Sequence, residues 1–234
     1  MAGRYYFLLS ALPPLPPLGE APPLELARFR ALAAEEGSAT DLIDALLLDY
    51  DLLLREAAGA GEVAEVEPVV LTADQARGEA PLELAPPAAP SVPQRIPADA
   101  VWAAYYRHVA RLAEARRCAF ARRWVGFEVA LRNAIAAARA EALDLDPQGY
   151  LVAPDLADID AAVGALVSAW SAAPDPLAGL RRLDEGRWRW TEENSRHFSF
   201  ALDELAAYTR RLILVTRWHA LRREAAPDPA KQGA

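Results

Sequence analysis

Apolar positions recur at steps of three and four along most of this chain, the spacing of amphipathic helices. Leu42, Ile43, Leu46, Leu47, Tyr50, Leu53 and Leu54 hold it across a predicted helix over about 40–57, with Asp41, Asp44, Asp49 and Asp51 on its acidic side. Leu24–Glu36 reads the same way through Leu24, Ala27, Phe29, Ala31 and Leu32. Gly37 ends that helix, and Ser38 or Thr40 can cap the next. The longest pattern lies between Pro97 and Pro147, where no proline occurs and Gly126 is the only glycine. Asp99 can cap its start. Trp102, Tyr106, Val109 and Ala113 lead to Phe120, Trp124, Phe127, Leu131, Ala134 and Ala138, a heptad-like seam with one phase slip near Arg117. The seam predicts one long or gently kinked helix over 99–143, roughly 65 Å long at ~1.5 Å per residue. The alternative is two helices broken near Arg116 or Gly126.

Past Pro147, Gly149 and Pro154, a helix is expected over about 155–171 through Leu156, Ile159, Val163, Leu166, Val167 and Trp170. A short one follows over Leu177–Asp184. Arg187-Trp188-Arg189-Trp190 then leads into a final long helix, about 191–224, through Phe198, Leu202, Leu205, Tyr208, Leu212, Val215, Trp218 and Leu221. Residues 4–12 suggest a short strand or an extended packing segment. The resulting fold class is all-α, with long antiparallel helices in an elongated bundle. Its expected divisions are an N-terminal helical part over 1–58, a Pro/Gly-rich linker or insertion over 59–97, a long-helix domain over 98–226 and a disordered tail over 227–234.

Charge and composition narrow the function classes. The net charge is −8, and Lys231 is the only lysine. In so Ala- and Pro-rich a chain, arginine content reflects composition rather than nucleic-acid binding. Glu20 to Glu83 is acidic, whereas Arg107 to Arg139 carries eight arginines, so the two can pair within the fold or with partners. Cys118 is the only cysteine, which excludes an intramolecular disulfide and suits a reducing compartment. No apolar run approaches the ~20 residues that cross a bilayer. Only Arg4 precedes the apolar Tyr5–Leu9, a poor match to a signal peptide.

Reaction chemistry finds few footholds. A phosphate-cradling loop needs glycines before a Lys-Ser/Thr pair, and the sole lysine stands near the C-terminus. His108, His197 and His219 show no metal-ligand spacing with one another or with Cys118. The residues three before them, Tyr105, Asn194 and Thr216, supply no Glu-x-x-His pair. Glycine clusters for a dinucleotide and a Gly-x-Ser-x-Gly elbow are also missing. The expectation is a protein that is not an enzyme, with no cofactor and no metal. Arg187-Trp188-Arg189-Trp190 interleaves guanidinium and indole groups that can stack on bases. The preferred reading is a tryptophan anchor between helices with arginines reaching water, because a pI near 5.0 argues against nucleic acid.

Glu128, Arg132 and Asn133 stand out in an otherwise apolar, alanine-rich stretch. Glu128 and Arg132 are spaced as a helix ion pair. Asn133, a poor helix former, implies a specific hydrogen-bonding task. Several stretches together resemble a bacterial protein family associated with V/A-type ATPases. They are Tyr5-Tyr6-Phe7-Leu8-Leu9-Ser10-Ala11-Leu12-Pro13, the run from Trp124 through Phe127, Glu128, Leu131 and Arg132 to Asn133, and Arg187-Trp188-Arg189-Trp190. Phe198-Ser199-Phe200, Tyr208, Leu212 and Arg217-Trp218 complete the set. The resemblance implies a stand-in for the C-type stalk component of the V-type ATP synthase (d-type in the eukaryotic enzyme). That component is an all-helical funnel on the membrane rotor ring that receives the tip of the central shaft. The resemblance further implies a non-catalytic adaptor coupling ATP turnover to proton or sodium transport, with the shaft and ring proteins of the rotor as partners. Such an adaptor is cytoplasmic and meets the inner membrane through its partners only. Glu128, Arg132, Asn133, Arg187, Trp188 and Trp190 are the expected partner contacts. A free-standing helical scaffold or RNA-binding module is the alternative.

Overall fold

The structure, a computed structural model, describes residues 5–37, 39–82, 84, 95–158 and 161–225. Among these residues the protein is all-helical, with no strand. The expected tail over 227–234 and most of the Pro-rich run before Arg95 lie outside the described residues, as does Ile159.

The first element corrects the expectation of an extended segment. Tyr6–Ala11 forms a short helix, α1. Leu9 N–H donates to the Tyr5 carbonyl at 3.0 Å and Leu12 N–H to that of Leu8 at 3.0 Å, and this winding turns Tyr5 and Leu8 into the core. Helix α3 (Thr40–Gly59) follows the leucine spacing closely, whereas α2 (Leu26–Glu35) buries Leu26, Phe29 and Ala33 and leaves the expected Ala27 and Ala31 exposed. Within the 59–97 segment a further helix appears, α4 (Ala73–Arg77), begun by a Thr72–Gln75 capping box and closed by Gly78 at φ 83°. The run before it is fastened to α3. The Asp51 carboxylate accepts the backbone N–H groups of Val69, Val70 and Leu71 at 2.6–2.8 Å. Burial pushes the Asp51 carboxyl group upward, and those three donors oppose the shift.

In place of one rod over 99–143 the structure has the alternative, two helices broken near Arg116: a hairpin of α5 (Pro97–Ala115) and α6 (Ala119–Ala142). Arg117 takes the left-handed conformation, φ 53°, and Cys118 N–H closes back onto the Ala113 carbonyl at 2.9 Å. Asp99 and Tyr106 of α5 meet Arg132 and Trp124 of α6, so the two run antiparallel. Folding back lets the aromatic faces of both halves bury each other, which a lone rod leaves in water. The phase slip near Arg117 is the mark of this turn. Gly126 lies within α6 and serves a close crossing: a Cβ there would come within 2.8 Å of the Asp158 side chain.

Beyond α6, 3₁₀ turns at Pro147–Tyr150 and Pro154–Leu156 precede α7 (Ala161–Ser171), so the helix expected from 155 starts later. The short helix and the Arg-Trp motif belong to one helix, α8 (Pro176–Asn194), capped by Asp175. The final helix, α9 (Leu202–Ala225), begins well after 191. The loop between them is held by Glu204, whose carboxylate accepts N–H groups from Phe198 and Phe200 at 2.9 and 2.8 Å. The hydrophobic core is continuous from Tyr5 to Ile213, with α3 packed on α5 and α9, and α6 on α5, α7 and α9. The longest helices have 24 residues, or ~36 Å at ~1.5 Å per residue. Among the described residues no helix is long and apolar enough to cross a membrane.

Candidate functional site

Glu128 and Arg132 share a face of α6, but they do not pair with each other as their spacing suggests. Each reaches across to another helix. Glu128 is buried and accepts from Nε of Arg187 on α8 at 2.8 and 3.1 Å. Arg187 also donates Nη1 to Asp184 at 2.9 Å. Asp184 has no solvent exposure (0%) and additionally accepts the Trp218 indole N–H of α9 at 2.8 Å, with Arg217 at 3.5 Å. The chain of contacts from Glu128 to Trp218 thus joins α6, α8 and α9 through charge-assisted bonds. Burial works against the Arg187 charge, but the carboxylates of Glu128 and Asp184 outweigh it and raise the guanidinium pKa. Arg187 is therefore a permanent cation.

Arg132 turns the other way. Its Nη2 lies 3.2 Å from Asp99 in the first turn of α5, and its guanidinium stands over the Trp102 ring at 4.8 Å. A further buried pair completes the group. Arg210 of α9 donates to Asp49 of α3 at 2.9 Å and to the Leu46 carbonyl at 3.2 Å, and lies 4.0 Å from the Trp124 ring. Asn133 has the bonding task its helix propensity implied. Its side-chain amide donates to the Val152 carbonyl at 2.9 Å and accepts the Val152 N–H at 2.8 Å.

Beside these pairs opens a cavity of about 560 Å³, lined in part by Leu53, Asp99, Tyr106, Arg132, Arg187 and Arg217. Its size is that of a small-molecule site. Its arginines, however, are held by carboxylates: Arg132 by Asp99, Arg187 by Glu128 and Asp184, Arg217 by Asp184. Arg139, which leans over Trp170 at 5.2 Å, is the exception on this wall. Among the described residues no group of three or more His, Cys, Asp or Glu side chains is placed to hold a metal ion.

Of the six residues expected at a partner surface, Glu128, Asn133 and Trp190 are buried, while Arg132, Arg187 and Trp188 are only partly so. Trp190 stacks on Phe127 with ring centroids 4.7 Å apart and packs near Phe120 at 5.9 Å, an anchor between α6 and α8. Trp188 receives Arg211 over its ring at 5.5 Å. The Arg-Trp motif is thus split between interior and surface, and it offers no continuous base-stacking face. Asp184, Asp49 and Arg210 do not stand out for this role in the sequence. Their one signal there is a charge set among apolar helix positions, which a solvated face also produces.

No protein-family description, curated protein or solved structure matches this chain.

Proposed function

We propose that this protein is a non-catalytic helical adaptor that takes the place of the C-type component in the central stalk of a V/A-type rotary ATPase. There it joins the shaft to the membrane ring for ATP-coupled proton or sodium transport. The place in the machine is inferred from the motif resemblance. The mechanical character is inferred from what the motif residues do: Glu128, Arg132, Asn133 and Arg187 all bond to other parts of this chain. Apolar contacts are non-directional and let helices slide past one another at little cost. Bidentate and charge-assisted bonds fix register as well as separation. An element that passes torque needs that resistance to shear.

The partners on this reading are the shaft and ring proteins of the rotor, and the protein meets the membrane through them alone, on its cytoplasmic side. Affinity purification from cells bearing a tagged chain tests it, with the rotor proteins expected in stoichiometric amount. ATP-driven ion pumping should fail in complexes assembled without the chain. A complete, pumping complex that lacks it overturns the reading.

A further inference from the structure

A second feature lies at one end of the molecule, where α1, the α5–α6 turn and the α8–α9 loop converge. Tyr5 N–H donates to the Phe200 carbonyl at 2.7 Å, and the Tyr6 ring lies 4.6 Å from that of Phe200. Asp203, at the start of α9, accepts the Phe120 N–H at 2.8 Å and approaches Cys118 Sγ at 3.2 Å, which ties the α8–α9 loop to the α5–α6 turn. Two large apolar side chains stand in water here, Phe7 at 83% exposure and Phe198 at 85%.

At Phe198 the backbone holds the side chain there against preference. Arg117, Phe198 and Phe200 all adopt positive φ, 53°, 57° and 51°, a region that bulky side chains rarely enter. Phe198 and Phe200 are kept in it by the Glu204 carboxylate. Strain of this kind persists only where the surroundings enforce it, and it gathers at functional sites.

The charge on the segments that converge here differs from that of the chain as a whole, whose net is −8. Arg117, Arg122, Arg123 and Arg196 are exposed, and among the described residues none has a carboxylate within ion-pair distance. Arg123 donates instead to the two carbonyl oxygens of Asn194, each at 3.0 Å. Between α5 and α6 lies a hollow of about 320 Å³ whose lining includes Arg117, Arg122, Cys118 and the single carboxylate of Glu114.

We propose that this end is a docking surface for an acidic segment of a protein partner. One of the segment's carboxylates enters the hollow between Arg117 and Arg122, and an apolar side chain lies against Phe198. A concave recess of side-chain dimensions admits a single carboxylate of a peptide, whereas a bilayer presents a flat plane. The inference stands independently of the stalk assignment.

The test uses the full chain and a fluorescein-labelled peptide of repeating Asp-Glu-Phe, followed by fluorescence anisotropy at low salt. Saturable binding is expected, weakened about tenfold or more by Arg122→Glu and by Phe198→Ser. Both positions are exposed, and circular dichroism verifies that each variant folds. Arg196→Glu offers a second charge reversal on the loop. Arg223→Glu, at the opposite end of α9, should leave binding unchanged. Absence of saturable binding overturns the proposal, as does equal binding by Arg122→Glu and Phe198→Ser. Preferential co-sedimentation with phosphatidylserine vesicles, lost in those same variants, also overturns it, in favour of a lipid surface.

Discussion

Two faces of this bundle are joined by opposite means. Where α2 and α3 enter the core, the contact is chiefly leucine, isoleucine and phenylalanine: Phe29, Leu42, Ile43, Leu46 and Leu47 are all buried and packed by shape, with Arg210–Asp49 the buried charged exception. Where α6, α8 and α9 meet, Glu128, Arg187, Asp184 and Trp218 form a line of directional bonds through the interior. Apolar contact is the economical way to stabilise a fold, because each buried charge first loses its hydration. The charge that the α6–α8–α9 face nevertheless carries gives it directional bonds, which apolar packing lacks.

The largest expected effect breaks the charged face. Arg187→Met leaves Glu128 and Asp184 facing each other without their shared cation and should cost about 3–5 kcal/mol in urea unfolding. A loss below about 1 kcal/mol would show that the line of charges has no energetic weight. Replacing Glu128 by Leu in that background should recover part of the loss. On the leucine face, Leu46→Ala is expected to cost about 2–5 kcal/mol through a cavity, and no second substitution among the charged residues should restore it.

A smaller effect sharpens the contrast at Tyr105, which is fully buried in the core between α3 and α6. Its hydroxyl finds no hydrogen-bond partner among the described residues. Tyr105→Phe should be neutral or stabilising within about 1 kcal/mol, because it removes an unsatisfied polar atom. A clear loss of stability would assign that hydroxyl a bond. The smallest effect is at His108. Burial and then the neighbouring Arg111 lower its pKa below the ordinary 6.5, while Asp41 partly opposes them. The unfolded chain therefore takes up this proton first as pH falls, so His108 contributes stability above about pH 6.5 that is lost progressively below it. His108→Gln should flatten that part of the dependence of Tm on pH, by a shift small enough to need replicate melts.

The periodicity of α3 was legible because leucines repeat along it between recognisable stops. The reversal at Arg117 showed only as a phase slip and an alternative break near Arg116, and the one before α9 did not show, for a common reason. Turns announce themselves through glycine and proline, yet the left-handed positions here belong to Arg117, Phe198 and Phe200. Tertiary bonds hold them, from Asp203 to the start of α6 and from Glu204 across the loop. The apolar spacing also resumes beyond each turn almost in phase, so a hairpin and a rod write nearly the same pattern. At the charged site, Glu128 and Asn133 were visible as polar residues in an apolar helix. Their partners were not, since Arg187 lies 59 positions from Glu128 and Val152 lies 19 from Asn133. Spacing within one helix reports neighbours on that helix only. It suggested Arg132 for Glu128, and the fold chose otherwise.

The bond between Asn133 and Val152 sets a limit on substitution. A carboxamide presents one donor and one acceptor side by side, the complement of the peptide group it faces, so this single side chain does for Val152 what an adjoining β-strand would do. The connection after α6 can thereby cross the helix in extended form with both main-chain groups satisfied and no sheet to join. Aspartate, of nearly the same size, would set an oxygen against the Val152 carbonyl, and leucine would leave both groups stranded. Of the residues with this reach, asparagine alone offers both halves of the match.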